Sequence, residues 1–164
     1  MVTFLFPLYI YPASRGAVWT PLLETARMNP QAKILVVANP SNGPGMKANP
    51  DYVSGIDALV SSGVGMAGYV FTKYGSRPIE DVQQDLSTWS KLYPKVTSTF
   101  MDNMSNKPGH EEYYSQLPNR EVPRQQEGNR KPGSSCSYIL PRDSGCDGNL
   151  RRRWLPNLSP GTVD

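Results

Sequence analysis

Four apolar runs recur about every thirty positions in the first two-thirds of this chain: Thr3–Tyr11, Lys33–Ala38, Val64–Thr72 and Val96–Met101. Each is short, lacks strict alternation and is bounded by turn residues, the pattern of strands buried on both faces. The segments between them carry helical spacing. Val18, Leu22, Leu23 and Ala26 share one face, as do Tyr52, Ile56, Leu59 and Val60, and Ile79, Val82, Leu86 and Trp89. Helix boundaries are also written locally. Asn49-Pro50-Asp51 places proline in a first turn, and Glu80-Asp81 follow Pro78 at the positive end of a helix dipole. Gly63 stands where a C′ glycine ends a helix.

Strand and helix alternating at this period imply right-handed βαβ units and a parallel sheet. Four such units make half of an eight-stranded barrel or most of a doubly wound sheet, and periodicity alone does not decide between them. The strand ends carry more. Tyr11, Asn39, Thr72 and Asp102 are polar groups at four successive carboxyl ends, the end where ligand sites lie in both architectures.

After Leu117 the pattern stops. Residues 118–133 are polar and rich in Pro, Gln and Arg, Ser137–Leu140 is a lone apolar patch, and Trp154-Leu155-Pro156 stands by itself. Such a stretch buries too little to offset its chain entropy. The expected organisation is an ordered unit over 1–117 and a disordered tail over 118–164. Charge separates the same two parts: residues 1–117 carry nine basic and nine acidic side chains, and the tail carries eight and five. The net charge of +3 therefore belongs to the tail. Arg151-Arg152-Arg153 is its one basic run, read as solvated charge, and no nucleic-acid partner is implied. Cys136 and Cys146 could close a small disulfide loop, which spacing alone does not establish.

No apolar run reaches the ~18–20 residues of a membrane span. The stretch Phe4–Tyr11 lacks a basic leader and a small-x-small cleavage site, so it reads as a strand rather than a signal peptide.

The glycine-rich stretch Asn39-Pro40-Ser41-Asn42-Gly43-Pro44-Gly45 follows the second strand. It is no phosphate cradle, because Gly-Lys-Ser/Thr is missing and two prolines remove amide donors. It reads as a rigid loop with the Asn39 side chain turned into the site. An acid such as Asp102 closing an apolar strand is costly to bury unless it has a task. Glycoside hydrolysis generally uses two carboxylates roughly 5–9.5 Å apart; Asp102 supplies one, and the amide of Asn103 does not supply the other. Tyr9, Tyr11, Tyr69, Tyr74 and Trp19 lie near the strand ends, suited to stacking on sugar rings, with core packing an equal reading for Tyr9 and Trp19. His110 has no second ligand at metal spacing and reads as a surface residue.

Several of these stretches together resemble one family. Pro7-Leu8-Tyr9-Ile10-Tyr11-Pro12, Trp19, the loop Val37–Gly45, Asn49-Pro50-Asp51-Tyr52, Gly68–Arg77 and Phe100-Met101-Asp102 occur in order at the spacing of the spherulin-4 family. The resemblance implies a (β/α)8 barrel, here incomplete at about four units. It also implies a glycoside hydrolase acting on galactosaminogalactan, an α-linked polysaccharide containing galactosamine, outside the cell or at its surface and without a metal or organic cofactor. Asp102 matches a catalytic position, and Asn39, Tyr69, Tyr74, Asn103 and Tyr11 match substrate-binding ones.

Active members usually carry Asp-Glu where this chain has Asp102-Asn103, and a further acid is expected from a second half of the barrel. The chain as written is therefore expected to be inactive, or to be a carbohydrate-binding protein with a truncated barrel. Half a barrel would leave two open sheet edges that invite self-association. Periodicity, charge balance and resemblance are lost together near Pro118, which points to a changed reading frame or splice choice there.

Overall fold

The computed structural model describes residues 3–12, 18–117 and the backbone of 136–141. Four strands, β1 (Thr3–Leu8), β2 (Lys33–Ala38), β3 (Gly65–Phe71) and β4 (Ser98–Met104), pair in parallel and in sequence order. They form a curled half-barrel sheet with helices on its outer face. The connections are α1 (Trp19–Met28), α2 (Pro50–Ser61) and α3 (Ile79–Leu92), with a short α4 (Glu111–Ser115) after β4.

Local signals explain the helix ends. The Asn49 side chain accepts from the amides of Asp51 and Tyr52, with Pro50 in the first turn, so the first orphan donors of α2 are satisfied. At the other end Gly63 adopts φ 82°. Gly63 N donates to Val60 O and Val64 N to Leu59 O, the paired bonds of a Schellman stop. Glu80 and Asp81 occupy the first turn of α3.

The two faces of the sheet bury different sets. Ile34, Val36, Met66, Val70 and Met101 point outward and pack with Ile56, Leu59, Val82 and Trp89 of the helices. Val37, Ala67, Tyr69 and Phe100 form a smaller cluster on the inner face. This is the period-2 alternation of a strand, and it decides the site: side chains in register with Tyr69 and Phe100 look into the half-barrel. Close approach of α3 to β3 requires Gly68. A Cβ there would lie 2.5 Å from the Trp89 ring, whose Nε1 donates to Tyr69 O at 2.9 Å.

The expectation of a wholly disordered tail is corrected at one place. A fifth strand, β5 (Cys136–Pro141), runs antiparallel to β4, with Phe100 opposite Ile139 and Met101 opposite Tyr138. The apolar patch that lacked a period finds its partner in the unpaired backbone edge of β4. The sheet order is β1-β2-β3-β4-β5, so β4 is covered and the outer strands among the described residues are β1 and β5. The remainder of the tail, with Cys146 and the arginine run, lies outside the described residues. Strand lengths also shift: β1 ends at Leu8 rather than Tyr11, and β4 runs past Asp102 to Met104.

Candidate functional site

Asp102 lies inside β4, within an irregularity that shifts the register between Met101 and Met104. Asn103 there has φ 51°, a left-handed conformation that asparagine tolerates better than most residues. A bulge of this kind re-aims a side chain at the end of a strand. It is pinned from behind. The buried Thr72 donates its amide to Asp102 O at 3.1 Å. Its hydroxyl lies 3.0 Å from Asp102 O and 2.8 Å from Asn103 O, sharing one proton between them. The Tyr114 hydroxyl sits 3.4 Å from Thr72 Oγ1 and accepts from Ser105 N at 2.8 Å.

In front, the Tyr69 hydroxyl donates to Asp102 Oδ2 at 2.8 Å. Tyr9 meets the Tyr69 ring edge-on, with centroids 5.6 Å apart. Burial, followed by the hydrogen bond and charge of Asp102, holds the Tyr69 phenol well above its ordinary range. Burial and the same carboxylate push Tyr9 up to about 12. Tyr69 is buried while Tyr9 is 48% exposed, so the cluster offers solvent one carboxylate and one aromatic ring. Such a pair suits hydrogen bonds to hydroxyls and stacking on an apolar ring face.

The other expected site residues sit differently. Asn39 is not turned freely into the site: its Oδ1 accepts from Gly43 N at 2.9 Å and stiffens the loop after β2, a local Asx bond that competes with outward display. The Tyr11 hydroxyl donates to Asp51 Oδ2 at 2.6 Å, and its ring packs edge-on against Tyr52. Tyr11 thus belongs to a second cluster at the start of α2, where Trp19 is buried against Tyr52 and donates from Nε1 to Ile10 O. Tyr74 is half exposed in a short turn after β3, with φ 56°. His110 immediately precedes α4 with its ring against Gly75. Among the described residues no three His, Cys, Asp or Glu side chains gather as metal ligands.

Sequence reading missed one further element. Arg77 NH1 binds Asp85 Oδ2 at 2.7 Å and Phe71 O at 2.9 Å, tying α3 to the end of β3. Only the helical offset that brings Asp85 back over the turn could have signalled it.

The family model for Spherulation-specific family 4 matches residues 3–133. The chain belongs to this family. The match runs past Leu117, beyond the point where the resemblance was expected to end. Spherulin-4 of Physarum polycephalum is 35% identical over 120 residues, covering 72% of this chain and 34% of the relative. The crystal structure of Aspergillus clavatus Sph3 in complex with GalNAc superposes with a TM-score of 0.60 at 31% identity, over 68% of this chain and 48% of that one. The chain thus spans about a third of the spherulin-4 relative and about half of the solved chain.

Proposed function

We propose that this spherulin-4 domain binds a galactosamine-containing polysaccharide at the carboxyl end of its half-barrel, with Asp102 as the central polar group and Tyr69 and Tyr9 as its aromatic wall. The observation that carries the reading is the Tyr69–Asp102 hydrogen bond on the inner face. It holds a carboxylate beside an exposed aromatic ring where barrel enzymes place their chemistry. The family membership and the GalNAc held by the related Sph3 support a sugar as ligand. Tyr74 completes the rim, Asn103 shapes the bulge, and the polysaccharide is met outside the cell.

The chemistry implied by the family is hydrolysis of a glycosidic bond, for which Asp102 supplies one of two carboxylates. In this chain Asn103 offers an amide at the adjacent position, so the binding role is retained and turnover is weak or lost.

Calorimetry with N-acetylgalactosamine and with galactosamine tests the reading, alongside a reducing-end assay on galactosaminogalactan. Saturable binding that disappears in Asp102→Asn supports it. Equal binding by wild type and Asp102→Asn would place the sugar elsewhere, and no binding of either sugar would remove the proposal.

A further inference from the structure

Beside the Asp102 site lies a cleft of about 610 Å³ between the loop after β2 and helix α3, within the ~300–1,000 Å³ range of small-molecule sites. We infer that this cleft is a second sugar subsite, taking a neutral hexose or N-acetylhexosamine unit further along the chain from the unit at Asp102. The inference rests on the polysaccharide reading above and adds a place and a polarity to it.

Position comes first. Phe71 lies in the cleft wall and is the register partner of Asp102 on the neighbouring strand. Partnered residues of parallel strands direct their side chains to the same face, and the strands lie only ~4.8 Å apart. A polymer seated at Asp102 therefore crosses the carboxyl end of β3 over Phe71 to reach the cleft, whose far wall is α3 on the outer layer.

Rigidity comes next. The loop wall is built from Asn42, Gly43 and Gly45 at φ 51°, 148° and 76°. It is closed by Ser41 N donating to Gly43 O and by the Asn39 bond to Gly43 N. Gly43 allows the loop to rest on Asp85, whose Oδ2 would lie 3.3 Å from an added Cβ. A pre-formed wall loses little freedom on binding.

Chemistry sets the ligand class. The opposite wall carries Gln84, Thr88 and the Arg77–Asp85 pair. Arg77 already has its counter-charge at 2.7 Å, so a phosphate or carboxylate ligand would gain little there and would face the Asp85 charge. Amide, hydroxyl and ion-pair edges instead offer both donors and acceptors, the demand made by vicinal hydroxyls and an acetamido group. Phe71 supplies the apolar surface.

The test compares N-acetylgalactosamine with an α-linked N-acetylgalactosamine tetrasaccharide, using wild type and the double variant Asn42→Gly/Gln84→Ala. Glycine suits the left-handed φ at position 42 and alanine suits a helix interior, so the variant keeps the fold, checked by near-UV circular dichroism. The wild type should bind the tetrasaccharide at least tenfold more tightly than the monosaccharide. The variant should lose most of that gain while holding the monosaccharide unchanged, and the Gln84 side-chain amide resonances should move only with the tetrasaccharide. A variant that keeps the full gain, or a wild type with no preference for length, overturns the subsite and leaves the Asp102 reading standing. Loss of monosaccharide binding in the variant would merge the cleft with the first site and also overturn it. Failure of the wild type to bind either sugar removes both proposals.

Discussion

Tyr69 and Asp102, on neighbouring parallel strands, are joined hydroxyl to carboxylate at 2.8 Å, and this bond orients an acid that the inner face displays beside an exposed ring. Removing the hydroxyl in Tyr69→Phe keeps the ring contact with Tyr9 and frees the carboxylate to rotate. Hydrogen bonds to charged groups contribute about 1.5–3 kcal/mol, less where water replaces the donor. The expected outcome is about 1 kcal/mol lower stability in urea unfolding and roughly tenfold weaker binding of N-acetylgalactosamine, a factor equal to ~1.4 kcal/mol. Unchanged affinity would show that Asp102 orientation is set elsewhere.

Burial, with the same carboxylate second, makes the fold sensitive to alkali. Tyr9 is pushed up to about 12 and Tyr69 is raised above its ordinary value of 10.0. Both folded-state values exceed the unfolded one. Their stabilisation is therefore complete below pH ~10 and is lost as pH rises from there through about 12, because the unfolded chain releases protons the native state retains. Urea midpoints measured from pH 8 to 11.5 should hold steady and then fall, with Tyr69→Phe falling less steeply. Parallel curves for the two proteins would contradict this origin.

Thr72 is fully buried, and its hydroxyl serves two carbonyls of the β4 bulge. Thr72→Val keeps the shape but takes the hydroxyl from Asn103 O and leaves Asp102 O with the Thr72 amide alone, which costs about 1–3 kcal/mol. The expected signature is lower thermal stability together with faster hydrogen exchange at Ser105, whose amide leans on Tyr114 in the same latch. A stable variant with unaltered exchange would mean that the bulge holds without the hydroxyl.

These relationships explain what could be read from the sequence. Helix α2 was legible because Asn49, Pro50 and Gly63 act within one turn of their own position, and β2 was bounded as observed because a turn closed by Ala32 N on Asn29 O precedes it and Pro40 follows Asn39. The bond from Gly43 N to Asn39 Oδ1 was not legible, because a loop-stiffening side chain and one aimed at a ligand leave the same trace in a sequence. The extension of β4 through Asn103 depends on Thr72, and β5 depends on an edge created by residues far away in the chain. Neither is periodic, so no local pattern announces it. The Arg77–Asp85 bond likewise arises only once α3 folds back over the end of β3.

Gly68 tests the packing behind the site. A methyl group there would overlap the Trp89 ring at 2.5 Å, and Trp89 is 1% exposed, so the ring has nowhere to go. Overpacking of this kind costs about 1–3 kcal/mol, and Gly68→Ala should fall at the upper end, with the lost Trp89 bond to Tyr69 visible in tryptophan fluorescence. Gly63→Ala is the control: nothing stands within 4 Å of its added Cβ, and only the left-handed backbone resists, at about 1 kcal/mol. Equal costs at the two positions would refute the packing argument.

The β4–β5 pairing decides whether the half-barrel is protected on that side. Ile139 lies opposite Phe100 in the antiparallel ladder, and Ile139→Pro removes a backbone donor that a paired strand needs. If β5 covers the edge, the variant leaves the backbone of Ser98–Met101 unpaired on one side. Amide exchange there should then quicken at least tenfold, and light scattering should detect more self-association than in the wild type. Unchanged exchange along β4 would mean that β5 does not cover it, and the edge would be open in the wild type too. Because Asp102 follows Met101 directly, an uncovered edge would also loosen the bulge, so quickened exchange should come with weaker sugar binding in the same variant.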